Sequence, residues 1–227
     1  MDKLVIEPIN HFSGSVNLPG SKSLSNRALL LAALAEGETH LENLLLSEDT
    51  ERMLNALSQF GIIITFIDEL SGLKSDQPTT QCIVTGNGKL FTPPNEGHFS
   101  LGNAGTAIRP LTSILSLCPG TFTIDGDQYM RERPIAHLAE ALVKLGARIS
   151  YLGKEGCPPI RVEGGAITGG RVSVRGDISS QYLTSLLMSL PLAPKDSEIS
   201  IIGDQVSKPY LDITLDIMEK FGVHATH

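Results

Sequence analysis

Apolar positions along the chain form two alternating kinds of helical pattern. Residues 28–35 (A-L-L-L-A-A-L-A), 108–117 (I-R-P-L-T-S-I-L-S-L) and 182–190 (Y-L-T-S-L-L-M-S-L) are apolar on nearly every face, which predicts buried helices rather than surface amphipathic ones. Each is preceded by a strand-like run that ends at a glycine, at 16–20, 98–102 and 172–176, and then by a small polar cluster, at 21–26, 103–106 and 179–181. Each is followed by a short strand pattern, at 39–44, 121–126 and 198–203, and by a charged loop. A second helix with a single apolar face then closes on Gly61, Gly146 or Gly222, a residue suited to the left-handed position after a helix end. Pro134 and Pro209 fall where a first helical turn tolerates proline.

The closing glycines recur about every 80 residues, longer than the roughly 20–50 residues of stacked solenoid repeats. The predicted fold is therefore α/β, a pseudo-threefold repeat of compact units with buried parallel helices inside and sheets outside. The units run over about 15–66, 95–152 and 170–227 within one domain, 15–227, because no Pro-rich, Ser-rich or like-charge run divides the chain. With 227 residues, 41% hydrophobic and 19% charged, the composition is that of a globular protein able to bury a real core.

A formal net charge of -7 excludes a broad basic grip on nucleic acid. It does not exclude a small anion, which needs only a few local cations and backbone N–H groups. Cys82, Cys118 and Cys157 are odd in number and widely spaced, so neither a disulfide framework nor a zinc site is expected. No secretory leader and no membrane span are read from the sequence, and a monomer in the cytoplasm is the expectation.

Three parallel buried helices bring their N-termini to one face, each with about half a positive charge and unpaired N–H groups. The residues there have the chemistry to hold an anion: Lys22, Ser23, Ser25 and Arg27; Asn103, Gly105, Thr106 and Arg109; Ser179, Ser180 and Gln181. Any one of these hydroxyls read alone is a helix cap worth about 1 kcal/mol. Convergence by pseudosymmetry turns them into candidate ligands for a phosphate or carboxylate. The charged loops add Arg131 and Arg133, then Ser207, Lys208 and Tyr210.

At these positions the sequence resembles the 5-enolpyruvylshikimate-3-phosphate synthase family. L-P-G-S-K-S-L-S-N-R-A-L-L-L-A-A-L-A (18–35) and L-G-N-A-G-T-A-I-R-P-L (101–111) are similar to its two long signatures, and R-E-R-P (131–134), I-S-S-Q-Y (178–182) and V-S-K-P-Y-L-D-I-T (206–214) to shorter ones. The resemblance implies a domain of enolpyruvyl transferase type and transfer of a carboxyvinyl group from phosphoenolpyruvate to the 5-hydroxyl of shikimate 3-phosphate, without cofactor or metal. It implies that Ser23 and Arg27 hold the shikimate carboxylate and that Ser179, Ser180 and Ser207 hold the 3-phosphate. Gln181 and Tyr210 would meet the ring, Lys22 would reach both substrates, and Asn103, Gly105, Gln181 and Arg133 would face phosphoenolpyruvate or the inhibitor glyphosate.

Family members are roughly twice this length, so a C-terminal domain carrying the proton-transfer acids is expected to be absent. Lys22 is then the one catalytic candidate, through charge stabilisation, and the chain alone is expected to bind shikimate 3-phosphate without turnover. Residues 1–14 would belong with the other domain. Two alternatives stand beside this reading. One is a relative acting on UDP-N-acetylglucosamine, which carries Asn where Ser23 follows Lys22 and usually a reactive loop cysteine. The other is a non-catalytic anion-binding domain.

Overall fold

The computed structural model describes residues 3–91 and 96–226. In chain order the elements are α1 (Lys22–Leu34), β1 (Glu36–Leu41), α2 (Glu48–Gln59), β2 (Ile63–Ile67), β3 (Lys74–Ser75), β4 (Gln81–Asn87), β5 (Glu96–Ser100), α3 (Gly105–Leu117), β6 (Gly120–Asp125), α4 (Ala136–Lys144), β7 (Arg148–Tyr151), β8 (Ile160–Gly164), β9 (Gly170–Arg175), α5 (Ser180–Ser189), β10 (Ser197–Ile202) and α6 (Lys208–Lys220).

The three helices with apolar residues all round are α1, α3 and α5. Leu29, Leu30, Ala107, Ile108, Leu111, Ile114 and Leu186 are wholly inaccessible to solvent. Two four-stranded sheets, ordered β1-β4-β2-β3 and β5-β6-β8-β7, and the two-stranded β10-β9 cover them. Alternation sets which strand face turns inward: Cys82 and Val84 of β4, Phe122 and Ile124 of β6, Ile160 and Val162 of β8, and Val172 and Val174 of β9 are buried while the residues between each pair are not. Phe60, Phe91 and Phe99 stack with ring centroids 4.5 and 4.7 Å apart and join the first unit to the second.

The second helices α2, α4 and α6 end as the pattern predicts, with Gly61, Gly146 and Gly222 at φ 77°, 111° and 77°. In each, the N–H two residues past the helix cap returns to a helical carbonyl: Ile62 and Ala147 to Leu57 and Leu142, and Val223 to Met218.

Several expectations are corrected. Residues 16–20 form no strand; Val16 and Leu18 are 71% and 80% exposed. Their counterparts β5 and β9 pair in parallel with β6 and β10, whereas β1 pairs only with β4. Most of the first and third polar clusters lies inside the helices rather than ahead of them, because Ser21 and Ser179 cap α1 and α5, whereas Asn103 of the second precedes the Ala104 cap of α3. Pro209 sits in the first turn of α6, but Pro134 precedes the Ile135 cap of α4. The units also extend further than the repeat indicates, since β4 and β8, outside the expected unit limits, are central strands. Residues 3–14, on which no expectation is corrected, are exposed and without regular structure.

Candidate anion-binding site

One cavity of about 350 Å³ lies where α1, α3 and α5 begin. Its lining contains Lys22, Ser23 and Arg27 from α1, Asn103 and Gly105 from the α3 entry, Arg133, then Ser179, Ser180 and Gln181 from α5, and Ser207 and Tyr210 at the start of α6. The eleven residues to which the resemblance gives substrate-binding roles are thus in one place. Asp49, Thr106, Ile178 and Val206 complete the wall.

The cations are held in different ways. Arg27 is 4% exposed. Its Nε donates to Thr214 Oγ1 at 2.7 Å, and its terminal nitrogens donate to the Ser23 carbonyl at 2.9 Å and to Thr184 Oγ1 at 3.4 Å. The two threonine bonds tie α1 to α5 and α6, the Ser23 bond stays within α1, and an N–H on each terminal nitrogen is left for a ligand. Burial pulls the guanidinium below its ordinary pKa, against an opposing effect of Tyr210, but an arginine stays charged. Arg133 donates through Nη1 to both the carbonyl and the side-chain oxygen of Asn103, each at 2.9 Å. Lys22 reaches the Asp49 carboxylate at 3.0 Å with its side chain about half exposed.

Arg109 and Arg131 were also expected at this face and lie elsewhere. Arg131 forms a two-point pair with Asp125, at 3.0 and 2.6 Å, and is absent from the cavity wall, as is Lys208. Arg109 is buried behind the wall. It donates to Gln181 Oε1 at 2.6 Å and to the Pro134 carbonyl at 3.1 Å, and lies 5.6 Å from the centre of the Tyr182 ring. It therefore sets the Gln181 side chain rather than meeting the cavity. Ser25 is likewise turned inward, accepting from the Leu45 N–H.

The backbone supplies the rest. Ala104 caps the α3 N-terminus with no side-chain hydrogen bond; the Gly105 and Ala107 N–H groups turn to the Asn103 and Ala104 carbonyls, which leaves the Thr106 N–H for an anion. Ser207 stands in the left-handed region at φ 56°, ψ 42° and also makes no cap bond. A serine held there is strained, and such outliers gather at ligand sites. Gly105 has no room for a side chain: a Cβ would lie 2.5 Å from Arg109 Nη1 and 2.7 Å from Arg133 Nη2.

A family model described as EPSP synthase (3-phosphoshikimate 1-carboxyvinyltransferase) matches residues 6–227. The chain belongs to this family. Curated relatives bearing the name 3-phosphoshikimate 1-carboxyvinyltransferase include those of Sulfurovum sp. (strain NBC37-1), 51% identical over 98% of this chain and 50% of its own length, and Tolumonas auensis, 52% identical over 100% and 51%. That of Salmonella typhimurium is 52% identical over 98% and 50%. The chain spans about half the length of the curated relatives it matches.

An EPSP synthase structure from Acinetobacter baumannii superposes with a TM-score of 0.78 at 25% identity, over 94% of this chain and 45% of that one. The enolpyruvyl transferase NikO from Streptomyces tendae shares the fold, with a TM-score of 0.56 at 14% identity over 90% and 43%.

Asp49 is the residue of chemical interest that sequence reasoning missed in this family member. It lies in the first turn of α2, whose start is capped by Ser47 and Thr50, so it reads as a helix-terminal acid. A signal was available in its position, since the corresponding loops of the other two units supply Arg133 and Ser207. The cysteines give no competing chemistry. All three are free and buried, and burial raises the Cys82 thiol to about 11 and the Cys118 thiol to about 12. No group of three or more metal-ligating side chains and no helix able to cross a membrane occurs among the described residues.

Proposed function

We propose that this cavity binds shikimate 3-phosphate, and that a family-length protein built on it transfers the carboxyvinyl group of phosphoenolpyruvate to the 5-hydroxyl of that sugar acid. The observation that supports the reading is the meeting of three helix N-termini with Lys22, Arg27 and Arg133 around one small cavity. A ligand with a carboxylate at one end and a phosphate at the other matches that distribution. Ser23 and Arg27 take the carboxylate, and Ser179, Ser180 and Ser207 take the phosphate through hydroxyls and helix N–H groups. Gln181 and Tyr210 lie against the ring. Lys22 stands between the two substrates, and Asn103, Gly105 and Arg133 border the space for phosphoenolpyruvate, with Gln181 next to it.

In the reaction the 5-hydroxyl oxygen adds to C2 of phosphoenolpyruvate while a proton is delivered to C3. The tetrahedral adduct then loses phosphate and a C3 proton to regenerate the vinyl group. Fixed cations stabilise the charge that accumulates on the phosphate and carboxylate oxygens, and proton delivery and removal need an acid and a base. The chain supplies the cations. Its one carboxylate among the described lining residues, Asp49, is already engaged by Lys22. The chain alone is therefore a binder without turnover.

Calorimetric titration with shikimate 3-phosphate, then with shikimate, tests this. The expected result is binding that is lost or falls at least about a hundredfold without the phosphate, in keeping with the loss of several charge-assisted bonds. Equal affinity for the two, or binding of UDP-N-acetylglucosamine without any response to shikimate 3-phosphate, refutes the reading. Turnover by the chain alone on both substrates refutes the second part.

A further inference from the structure

Arg109, in the second turn of α3, is 5% exposed, and none of the ion pairs among the described residues includes it. Its Nη2 donates to the Pro134 carbonyl at 3.1 Å, which also accepts from the Tyr182 hydroxyl at 3.0 Å. Its Cζ stands over the Tyr182 ring, 5.6 Å from the centre. Nη1 donates to Gln181 Oε1 at 2.6 Å, while Nε is buried without an acceptor. Burial, and to a lesser degree Arg133, pull the guanidinium below its ordinary pKa against an opposing effect of Tyr182, but an arginine stays charged.

A guanidinium has donors and no acceptor. The amide oxygen of Gln181 must therefore face Arg109, and its NH2 group is turned the other way, to the cavity that Gln181 lines. No described residue accepts a hydrogen bond from that NH2, whereas the oxygen is taken. An amide that on its own could offer a ligand either end is reduced to a donor.

The charge of Arg109 also bears on the cavity. Arg109 Nη1, Arg133 Nη2 and Gln181 Oε1 lie 2.5, 2.7 and 3.1 Å from one point, the place a Cβ on Gly105 would take. Two guanidinium ends are thus held close together beside the cavity, one bonded to Asn103 and the other to Gln181. Like charges so placed repel each other, and an anion in the cavity relieves both.

We propose that Arg109 is a positioning residue that decides what the cavity selects. It fixes Gln181 as a hydrogen-bond donor to the ligand and, from behind the wall, adds a buried positive charge that an anion completes. The ligand atom that meets Gln181 is then an acceptor. The choice of ligand rests on the proposed function; on that reading a hydroxyl meeting Gln181 gives a lone pair and keeps its own hydrogen free for a base.

Gln181→Glu is the deciding variant. Its carboxylate can pair with Arg109 and stands in the first turn of α5, so the melting temperature should be no lower than that of the parent chain. It has no N–H for the ligand and brings negative charge to the wall, so calorimetry should show affinity for shikimate 3-phosphate reduced at least about a hundredfold. A contact that only held the fold together would keep affinity in step with stability. In the ligand-free parent chain, NMR order parameters of the Gln181 side-chain NH2 should be those of a rigid group, and Arg109→Met should bring them below about 0.6. Should the methionine variant not fold, the parent and glutamate chains still decide. A mobile Gln181 amide in the parent, or a glutamate variant that melts lower or binds as tightly, overturns the inference. Failure of the parent chain to bind shikimate 3-phosphate counts against the proposed function instead, and the ligand-free amide and melting measurements then judge Arg109 by themselves.

Discussion

Thr214 is wholly buried, and its Oγ1 both accepts from Arg27 Nε and donates to the Tyr210 carbonyl, each at 2.7 Å. Thr214→Val keeps the volume and removes both roles. The Arg27 Nε–H then has no acceptor in a site that excludes water, which costs about 1–3 kcal/mol for a hydrogen bond to a charged group. A loss near 2 kcal/mol lowers the melting temperature by roughly 4–8 °C in a chain of this length. Freed at one end, the guanidinium no longer presents its two terminal nitrogens in one geometry, and affinity for shikimate 3-phosphate should fall about tenfold, equivalent to roughly 1.4 kcal/mol. Thr214→Ser retains the hydroxyl and should recover most of the affinity. Calorimetry on the three proteins, with melting curves, makes the measurement. Unchanged melting and unchanged affinity in the valine variant would refute the claim that this hydroxyl aims Arg27. Lower stability with unchanged affinity would reduce Thr214 to packing.

Gly105→Ala places a methyl within 2.7 Å of Arg109 and Arg133 nitrogens and 3.1 Å from Gln181 Oε1, so those side chains must shift. In a family-length protein built on this cavity, the proposed function predicts that inhibition by glyphosate weakens more than the KM for phosphoenolpyruvate rises, and equal changes would count against a narrowed pocket. Burial alone would raise the Asp125 carboxyl, but the Arg131 pair, the Gly126 N–H and His98 together hold it below its ordinary range. A folded-state pKa below the unfolded one means stability that is full above about pH 4. It drains as pH falls through the lowered value, and Arg131→Met should flatten the acid limb of a melting-temperature profile. Cys82 and Cys118, with thiols raised by burial to about 11 and about 12, should resist thiol reagents at pH 8 until the protein is unfolded. Rapid native-state labelling of either would show that the core opens there.

The buried helices and the glycines that close the second helices were legible because each is written locally: apolar residues on every face in the first case, a glycine at positive φ after a one-faced helix in the second. The convergence of Ser23, Asn103 and Ser179 was legible only through the repeat, since no local signal links residues so distant in sequence. What stayed hidden depended on pairing. The strands β4 and β8 are short alternations whose central place comes from partners, and the run at 16–20 looks like a strand but has no partner here. Arg109 and Arg131 look alike in sequence as loop or helix-start cations. Only the positions of Gln181 and Asp125 decide that one is buried behind the wall and the other neutralised away from it.

That sorting explains how a chain of net charge -7 can present an anion site. The acids lie mostly over the exposed surface, where separations beyond about 10 Å are screened at ordinary salt. The cavity instead gathers Lys22, Arg27 and Arg133 against a single carboxylate, and adds helix ends whose field is fixed by the backbone and cannot be titrated away. The same arrangement limits the proposed chemistry. A base for C3 must be free to take a proton, and Asp49 is held at 3.0 Å by Lys22; on the proposed reading that pairing offsets part of the Lys22 charge, so the anion is held chiefly by Arg27, Arg133 and the helix ends, and Asp49 serves poorly as the base.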